Sequence, residues 1–166
     1  MFLPYSNVVV DLETLGVKPG CKIIQIGAIS FTVDDKKKEH RILSTFKANI
    51  IREHPDQKDF FESEETLAFW AKQSATAQRV LDNGDTPLRK ALEDFTVWVA
   101  NQRCRDFSKK LNIWGNAPSF DCKILEHAYE YFGMAVPWNF YEEMCVRTVY
   151  NLSKQMTPFD AKALLP

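Results

Sequence analysis

Two carboxylates two residues apart end an apolar run near the start of the chain: Val8-Val9-Val10-Asp11-Leu12-Glu13-Thr14. Side chains alternate along a strand, so Asp11 and Glu13 project to the same face. A third carboxylate, Asp121, follows Trp114-Gly115-Asn116 through Ala117, Pro118, Ser119 and Phe120. Like charges held close repel, and a charge at the middle of a sheet is costly unless it is paired or bound to metal. A fold keeps such a set where a cation neutralises it. The donors are all oxygens, which suits Mg²⁺ or Mn²⁺ rather than zinc. With 22 acidic residues in the chain, Asp-x-Glu alone is a weak signal. Its position at the end of a Val run gives it weight.

These residues need elements to position them. Residues 7–12 read as a short buried strand. Gly16, Pro19 and Gly20 mark a turn. Residues 23–33 and 41–50 read as two further strands, joined by a charged hairpin tip at 34–39. Residues 51–63 are polar and read as irregular. Helix starts are predicted at Glu64, where acidic residues precede an apolar face, and at Thr86-Pro87, a cap with proline in first position. A short helix is predicted between them over 75–81. In the helix after Pro87, Leu88, Ala91, Leu92, Phe95, Trp98 and Val99 recur at helical spacing and read as core. Residues 111–114 form a further strand. Ser119 is the predicted cap of a helix running to Tyr131 and stopped by Gly133. A last strand within 138–146 and a helix over 147–154 complete the pattern. This predicts one mixed α/β domain over residues 1–166, its sheet antiparallel first and parallel later, flanked by helices. If the strands carrying Asp11 and leading to Asp121 are neighbours, all three carboxylates meet at one end of the sheet.

At 166 residues the chain is long enough for one domain with a single core. Its net charge of −1 provides no general basic coat for duplex binding. Metal-bound phosphate recognition does not require one. Cys21, Cys104, Cys122 and Cys145 are scattered, with no Cys-x-x-Cys pair, and read as reduced thiols. The N-terminus has no signal-peptide pattern, and no apolar run is long enough to span a membrane, so a cytoplasmic protein is expected. Lys36-Lys37-Lys38 reads as a solvated hairpin tip. Arg103, Arg105, Lys109 and Lys110 are candidates for a basic rim. Glu142-Glu143 and the three histidines read as surface residues.

The residues together resemble the DEDDh 3′–5′ exonucleases. Val10-Asp11-Leu12-Glu13-Thr14 with Ile23-Ile24-Gln25-Ile26-Gly27-Ala28 is similar to their first motif, and Gly115-Asn116 with Phe120-Asp121 to their second. The resemblance extends over nearly the whole chain, including Phe69-Trp70-Ala71-Lys72-Gln73-Ser74 and Val146-Arg147-Thr148. It is nearest to small bacterial and phage members of the ribonuclease T-like group, some of them 3′–5′ exoribonucleases and others exodeoxyribonuclease VIII-like. It implies a ribonuclease H-like fold and a two-ion mechanism. One Mg²⁺ or Mn²⁺ ion would sit on Asp11 and Asp121, and a second on Asp11 and Glu13, about 4 Å apart. Thr14 and Leu15 would line the terminal nucleotide, Phe120 would offer a stacking surface, and Trp70 and Asn116 would lie at the site. The implied partner is a single strand or a 3′ overhang, RNA or DNA. Homodimers are common in the group, and a homodimer would suit the aromatic surplus of this chain. The implied setting is the bacterial cytoplasm, or that of a phage host.

The family's third motif pairs a general-base His with a fourth Asp about five residues on. His40 lies near the hairpin tip, His54 in the irregular stretch, and His127 is followed five residues later by Phe132. None of them supplies the motif. The expectation is a domain whose final helix, with the motif, lies beyond Pro166. The alternatives are a nuclease-like binding module that has lost its chemistry and a ribonuclease H-type endonuclease.

Overall fold

The computed structural model describes residues 5–34, 39–103 and 110–156. Alternation governs its first half. In β1 (Tyr5–Thr14) Val8, Val10 and Leu12 are buried, while Val9, Asp11 and Glu13 take the other face. β2 (Ile23–Asp34) and β3 (Glu39–Asn49) follow as antiparallel partners, Asp11 standing opposite Gly27. β4 (Lys110–Gly115) joins the other side of β1 in parallel, Val9 beside Trp114, and β5 (Glu143–Cys145) extends it. The sheet order is β3-β2-β1-β4-β5. The antiparallel-then-parallel mixed sheet is as read from the sequence.

The inward face of β1 packs on α3 (Leu88–Arg103) and α4 (Asp121–Tyr131). The predicted periodic residues Leu88, Ala91, Leu92, Phe95 and Val99 are all fully buried. Phe95 and Trp98 stack at 5.9 Å, and Trp138 meets both Phe95 and Tyr129 edge-on. Buried polar groups are matched: the Gln102 carboxamide accepts from Ser30 Oγ and its backbone carbonyl accepts from Ser6 Oγ. Among the described residues no buried side-chain N or O lacks a partner. Gly133, at φ +63°, ends α4 as the sequence predicts.

The polar stretch over 51–63 is better anchored than its composition suggests. It holds a 3₁₀ turn at Pro55–Gln57, and buried Gln57 accepts from the Ile23 amide at 2.8 Å and donates to the Ile51 carbonyl. Glu62 binds both Arg52 and Lys22, so the segment is clamped to the start of β2. The chain then enters α1 (Glu64–Trp70), capped by Ser63, and α2 (Ala75–Gln78), capped by Ser74.

Several expectations need correction. Ser119 does not cap α4. Phe120 occupies the cap position without a side-chain bond, because a turn closed by the Ala117 and Pro118 carbonyls already accepts the first helical amides. The last strand is only three residues long, since Phe140–Glu142 coils into a 3₁₀ turn in which Glu142 accepts from the Asn139 amide at 2.8 Å. Glu142 is not on the surface either. It is buried and paired bidentately with Arg103, at 2.9 Å for Nη1–Oε1. Arg103 is thus committed to the core edge rather than to a basic rim, and Arg105 and Lys109 lie outside the described residues, as do Lys36, Lys37 and Lys38. Glu143 is half-buried and accepts from Trp138 Nε1 and Lys123. His54 is half-buried as a 3₁₀ cap, and His127 lies half-buried against Phe60 at 5.8 Å. Cys21, Cys122 and Cys145 are free thiols. No helix among the described residues is long and apolar enough to cross a membrane.

Burial alone would raise the Glu142 carboxyl. Its bonds from Arg103 and Asn139 overcome that and hold it below the usual range. Arg103→Ala leaves a buried carboxylate without its cation. It is expected to lower the unfolding free energy by roughly 2–3 kcal/mol in urea titrations, and a second change, Glu142→Gln, to recover part of the loss.

Candidate active site

The parallel pairing of β1 with β4 brings the carboxylates together. The carboxyl ends of the two strands lie side by side, and the loop after Gly115 turns directly into α4, whose first residue is Asp121. In open α/β sheets this end of the strands is where ligands gather. Asp121 is 2% exposed. Asp11 is exposed and Glu13 half-buried on the face opposite the core. Among the described residues, no Lys or Arg is ion-paired with any of the three.

Their electrostatics record the missing charge. Burial, followed by the negative charge of Asp11, pushes the Asp121 carboxyl up to about 6, against hydrogen bonds from the backbone of Leu12, Asp121 and Ala117. Burial raises Glu13, and Asp11 raises it further. Asp11, although its side chain reaches solvent, is raised by partial desolvation against the end of the strand. Asp11 is therefore the shared member of two repelling pairs, one with Asp121 and one with Glu13. Among the described residues no group of three or more His, Cys, Asp or Glu side chains is arranged to hold one metal ion. The arrangement consists of two carboxylate pairs that meet at Asp11. The donor set suits Mg²⁺, which is usually held by one or two carboxylates and completed by water and substrate phosphate rather than by an all-protein cage.

Two clefts open on either side. One, of 380 Å³, is lined by Glu13, Thr14, Phe69, Trp70 and Phe120, with Glu65 and Thr66 of α1 at its edge. The indole of Trp70 is buried, and its Nε1 donates to the Thr14 carbonyl at 3.0 Å. This bond pins α1 over the end of β1 and makes Trp70 part of the buried packing as well as a wall of the cleft. Phe69 is 56% exposed and meets Trp70 edge-on at 5.9 Å. The Thr14 hydroxyl is spent on the Gly16 carbonyl at 2.7 Å. Leu15 does not line the cleft. It is fully buried just past the end of β1, packed with Ile24 under the Trp70 indole in a cluster separate from the main core. The second cleft, of 530 Å³, holds Asp11 and Asn116 together with α5 (Val146–Met156).

Sequence reasoning missed Gly115 as a site residue, although it sits inside the quoted motif. A Cβ there would stand 2.9 Å from Asp121 Oδ2 and 3.3 Å from the Pro118 nitrogen. The absent side chain makes room for the Asp121 carboxylate. His54 and Asp59 have the five-residue spacing sought for a general-base motif, but neither lines either cleft. His54 accepts from the Asp56 amide, and Asp59 accepts from the Tyr131 hydroxyl at 2.7 Å.

Two outcomes are expected. Asp121 is raised, so in metal-free protein the folded state keeps its proton longer than the unfolded chain, and ionising it costs stability as pH rises from about 4 through about 6. Asp121→Asn, neutral throughout, should stabilise metal-free protein by on the order of 3 kcal/mol at pH 7.5 and by little at pH 4. Thermal unfolding with chelator at both pH values measures this, and Mg²⁺ should narrow the gap. Gly115→Ala should leave the melting temperature within a few degrees while displacing the Asp121 carboxylate. Its apparent Mg²⁺ affinity, from calorimetric titration, should fall about 10- to 100-fold.

Comparison with known proteins bears on the fold and the family. Solved structures that align with the chain include the nuclease domain of 3′hExo, a DEDDh family member, bound to rAMP. It is 13% identical with a TM-score of 0.59, over 92% of this chain and 72% of that one. Cell-death related nuclease 4 (CRN-4) is also 13% identical, with a TM-score of 0.58 over 94% of this chain. The chain spans 50% of the length of CRN-4. These likenesses show the fold, the ribonuclease H-like α/β fold of DEDDh nucleases. A search of curated protein sequences finds no match. Residues 6–165 match the family model described as the 3′-5′ exoribonuclease Rv2179c-like domain. With nearly its whole length inside that match, the chain belongs to the Rv2179c-like 3′-5′ exoribonuclease domain family.

Proposed function

We propose that the protein removes nucleotides from the 3′ end of single-stranded or 3′-overhanging nucleic acid by metal-dependent hydrolysis. The observation that carries this reading is the set of three carboxylates without a paired cation at the carboxyl ends of β1 and β4, beside a cleft walled by aromatic rings. The family's description supports RNA as the substrate. DEDDh nucleases generally work with divalent metal ions. Mg²⁺ or Mn²⁺ bound at two positions would supply an activated water and charge stabilisation for the leaving 3′ oxygen.

The chain's own residues divide the remaining work. Asp11 and Asp121 would hold one position, and Asp11 and Glu13 the other. Phe69 and Phe120 present apolar surface on which a terminal base can stack, a contact that every base satisfies and that suits an enzyme trimming one nucleotide after another. Trp70, tied to the Thr14 carbonyl, fixes the height of this cleft relative to Glu13. Thr14 contributes its backbone edge rather than its hydroxyl.

The test uses the full chain with a 5′-labelled single-stranded RNA and its DNA counterpart. The expected result is a ladder shortening from the 3′ end in Mg²⁺ or Mn²⁺, abolished by chelator and reduced at least about 100-fold in Asp11→Asn. Internal cuts would instead indicate an endonuclease. Strand binding without cleavage at any Mn²⁺ concentration would indicate a binding module that has lost its chemistry.

A further inference from the structure

The Glu13 carboxylate has an amide donor within reach and is not bonded to it. Register sets the row: Glu13 stands opposite Gln25 on β2, and Gln25 opposite Asn49 on β3. Residues directly opposite in antiparallel strands share a face, with Cβ atoms about 5 Å apart. All three side chains are half-buried on the face that carries the carboxylates. A glutamine at that separation can donate to Glu13. Gln25 turns the other way, and its Nε2 donates to Asn49 Oδ1 at 2.7 Å. Among the described residues no hydrogen bond reaches the Glu13 carboxylate.

Asn49 is a firm anchor for this bond. Its carbonyl accepts from the amides of both Asp85 and Thr86, at 3.1 and 3.0 Å. The loop that supplies them presses close to the end of β3 because Gly84 has no Cβ: one there would stand 2.3 Å from the Ile50 carbonyl oxygen. On β2 no side chain blocks the opposite swing. Gly27, the next residue of β2 on this face, lies opposite Asp11 and adds nothing beyond its backbone. The Asn49 bond is therefore what holds the Gln25 carboxamide off the two carboxylates.

We propose that Asn49 is a positioning residue for the metal site: by holding the Gln25 amide toward β3, it keeps the Glu13 carboxylate open to a divalent ion. The inference rests on the reading of Glu13 as an ion ligand. A hydrogen bond to a carboxylate is charge-assisted and stronger than the neutral amide pair it would replace. A Gln25 donor on Glu13 would relieve part of the repulsion from Asp11 in metal-free protein, and an ion arriving on the same face would have to displace it. Apparent affinity would then fall with the fraction of molecules in which Glu13 is free. The Asn49 bond removes that competitor before the ion binds.

Two measurements on the full chain test this, neither of them turnover. In calorimetric titration with Mg²⁺, Asn49→Ala should bind about tenfold more weakly than the unaltered chain. Gln25→Met alone should stay within about twofold of it. Asn49→Ala combined with Gln25→Met should return to within about twofold. Rescue by removing a second polar group is an outcome that a merely structural role of Asn49 would not produce. Crystals of metal-free Asn49→Ala should place Gln25 Nε2 within hydrogen-bond distance of the Glu13 carboxylate. The inference is overturned if Asn49→Ala binds Mg²⁺ as tightly as the unaltered chain, if the double variant stays as weak as Asn49→Ala, or if Gln25 in those crystals still points away from Glu13. Failure of the underlying reading looks different: the unaltered chain itself would bind Mg²⁺ no better than Glu13→Gln, and the inference would fall with it.

Discussion

A carboxylate almost out of water, Asp121, stands beside a second carboxylate, Asp11, and no basic side chain among the described residues is paired with either. A fold optimised only for stability would replace one of them or supply a cation. Here the surrounding structure maintains the repulsion. The buried face of β1 and the α4 helix lock the two backbones in place. Backbone hydrogen bonds from Leu12, Asp121 and Ala117 partly offset the charge, and the bare Cα of Gly115 leaves space for the carboxylate. Local instability of this kind is characteristic of a site prepared for a ligand of opposite charge.

Much of the remaining architecture serves to shape the approach to that charge. The Trp70 indole reaches from α1 to the Thr14 carbonyl and sets one wall. Gln57 and the Glu62 clamp hold the irregular stretch that leads into α1. On the other side, β5 and the turn before it, secured by Arg103–Glu142, place α5 across from Asp11. Each wall stands on a long-range contact, so the two clefts are properties of the assembled domain rather than of any one segment.

How far the sequence could be read depended on the range of the interaction involved. Period-two and helical patterns gave β1–β3 and the buried face of α3 correctly, because those patterns are local and each has one dominant partner surface. The shared face of Asp11 and Glu13 could also be read, since strand alternation is local, whereas the approach of Asp121 depended on β1 and β4 being neighbours. Ser119 was misread because a side-chain cap and a backbone turn satisfy the same orphan amides, and composition does not show which one forms. Glu142 was misread because its partner, Arg103, lies 39 residues away in the chain. Leu15, which the resemblance set against the terminal nucleotide, is instead buried under Trp70, a partner that α1 brings from far along the chain.

The sequence by itself therefore determined the charge pattern: two carboxylates on one face at the end of a buried strand, with a third opening a helix. Only the tertiary structure decided that β1 and β4 are neighbours, so that Asp121 stands beside Asp11, and that Glu13 and Asp11 face different clefts, one aromatic and one cationic. The physical reason is that charge type and strand period are carried by neighbouring residues. The separation of the clefts arises where β1, α1, the loop after β4 and α5 converge, and those elements meet only through packing.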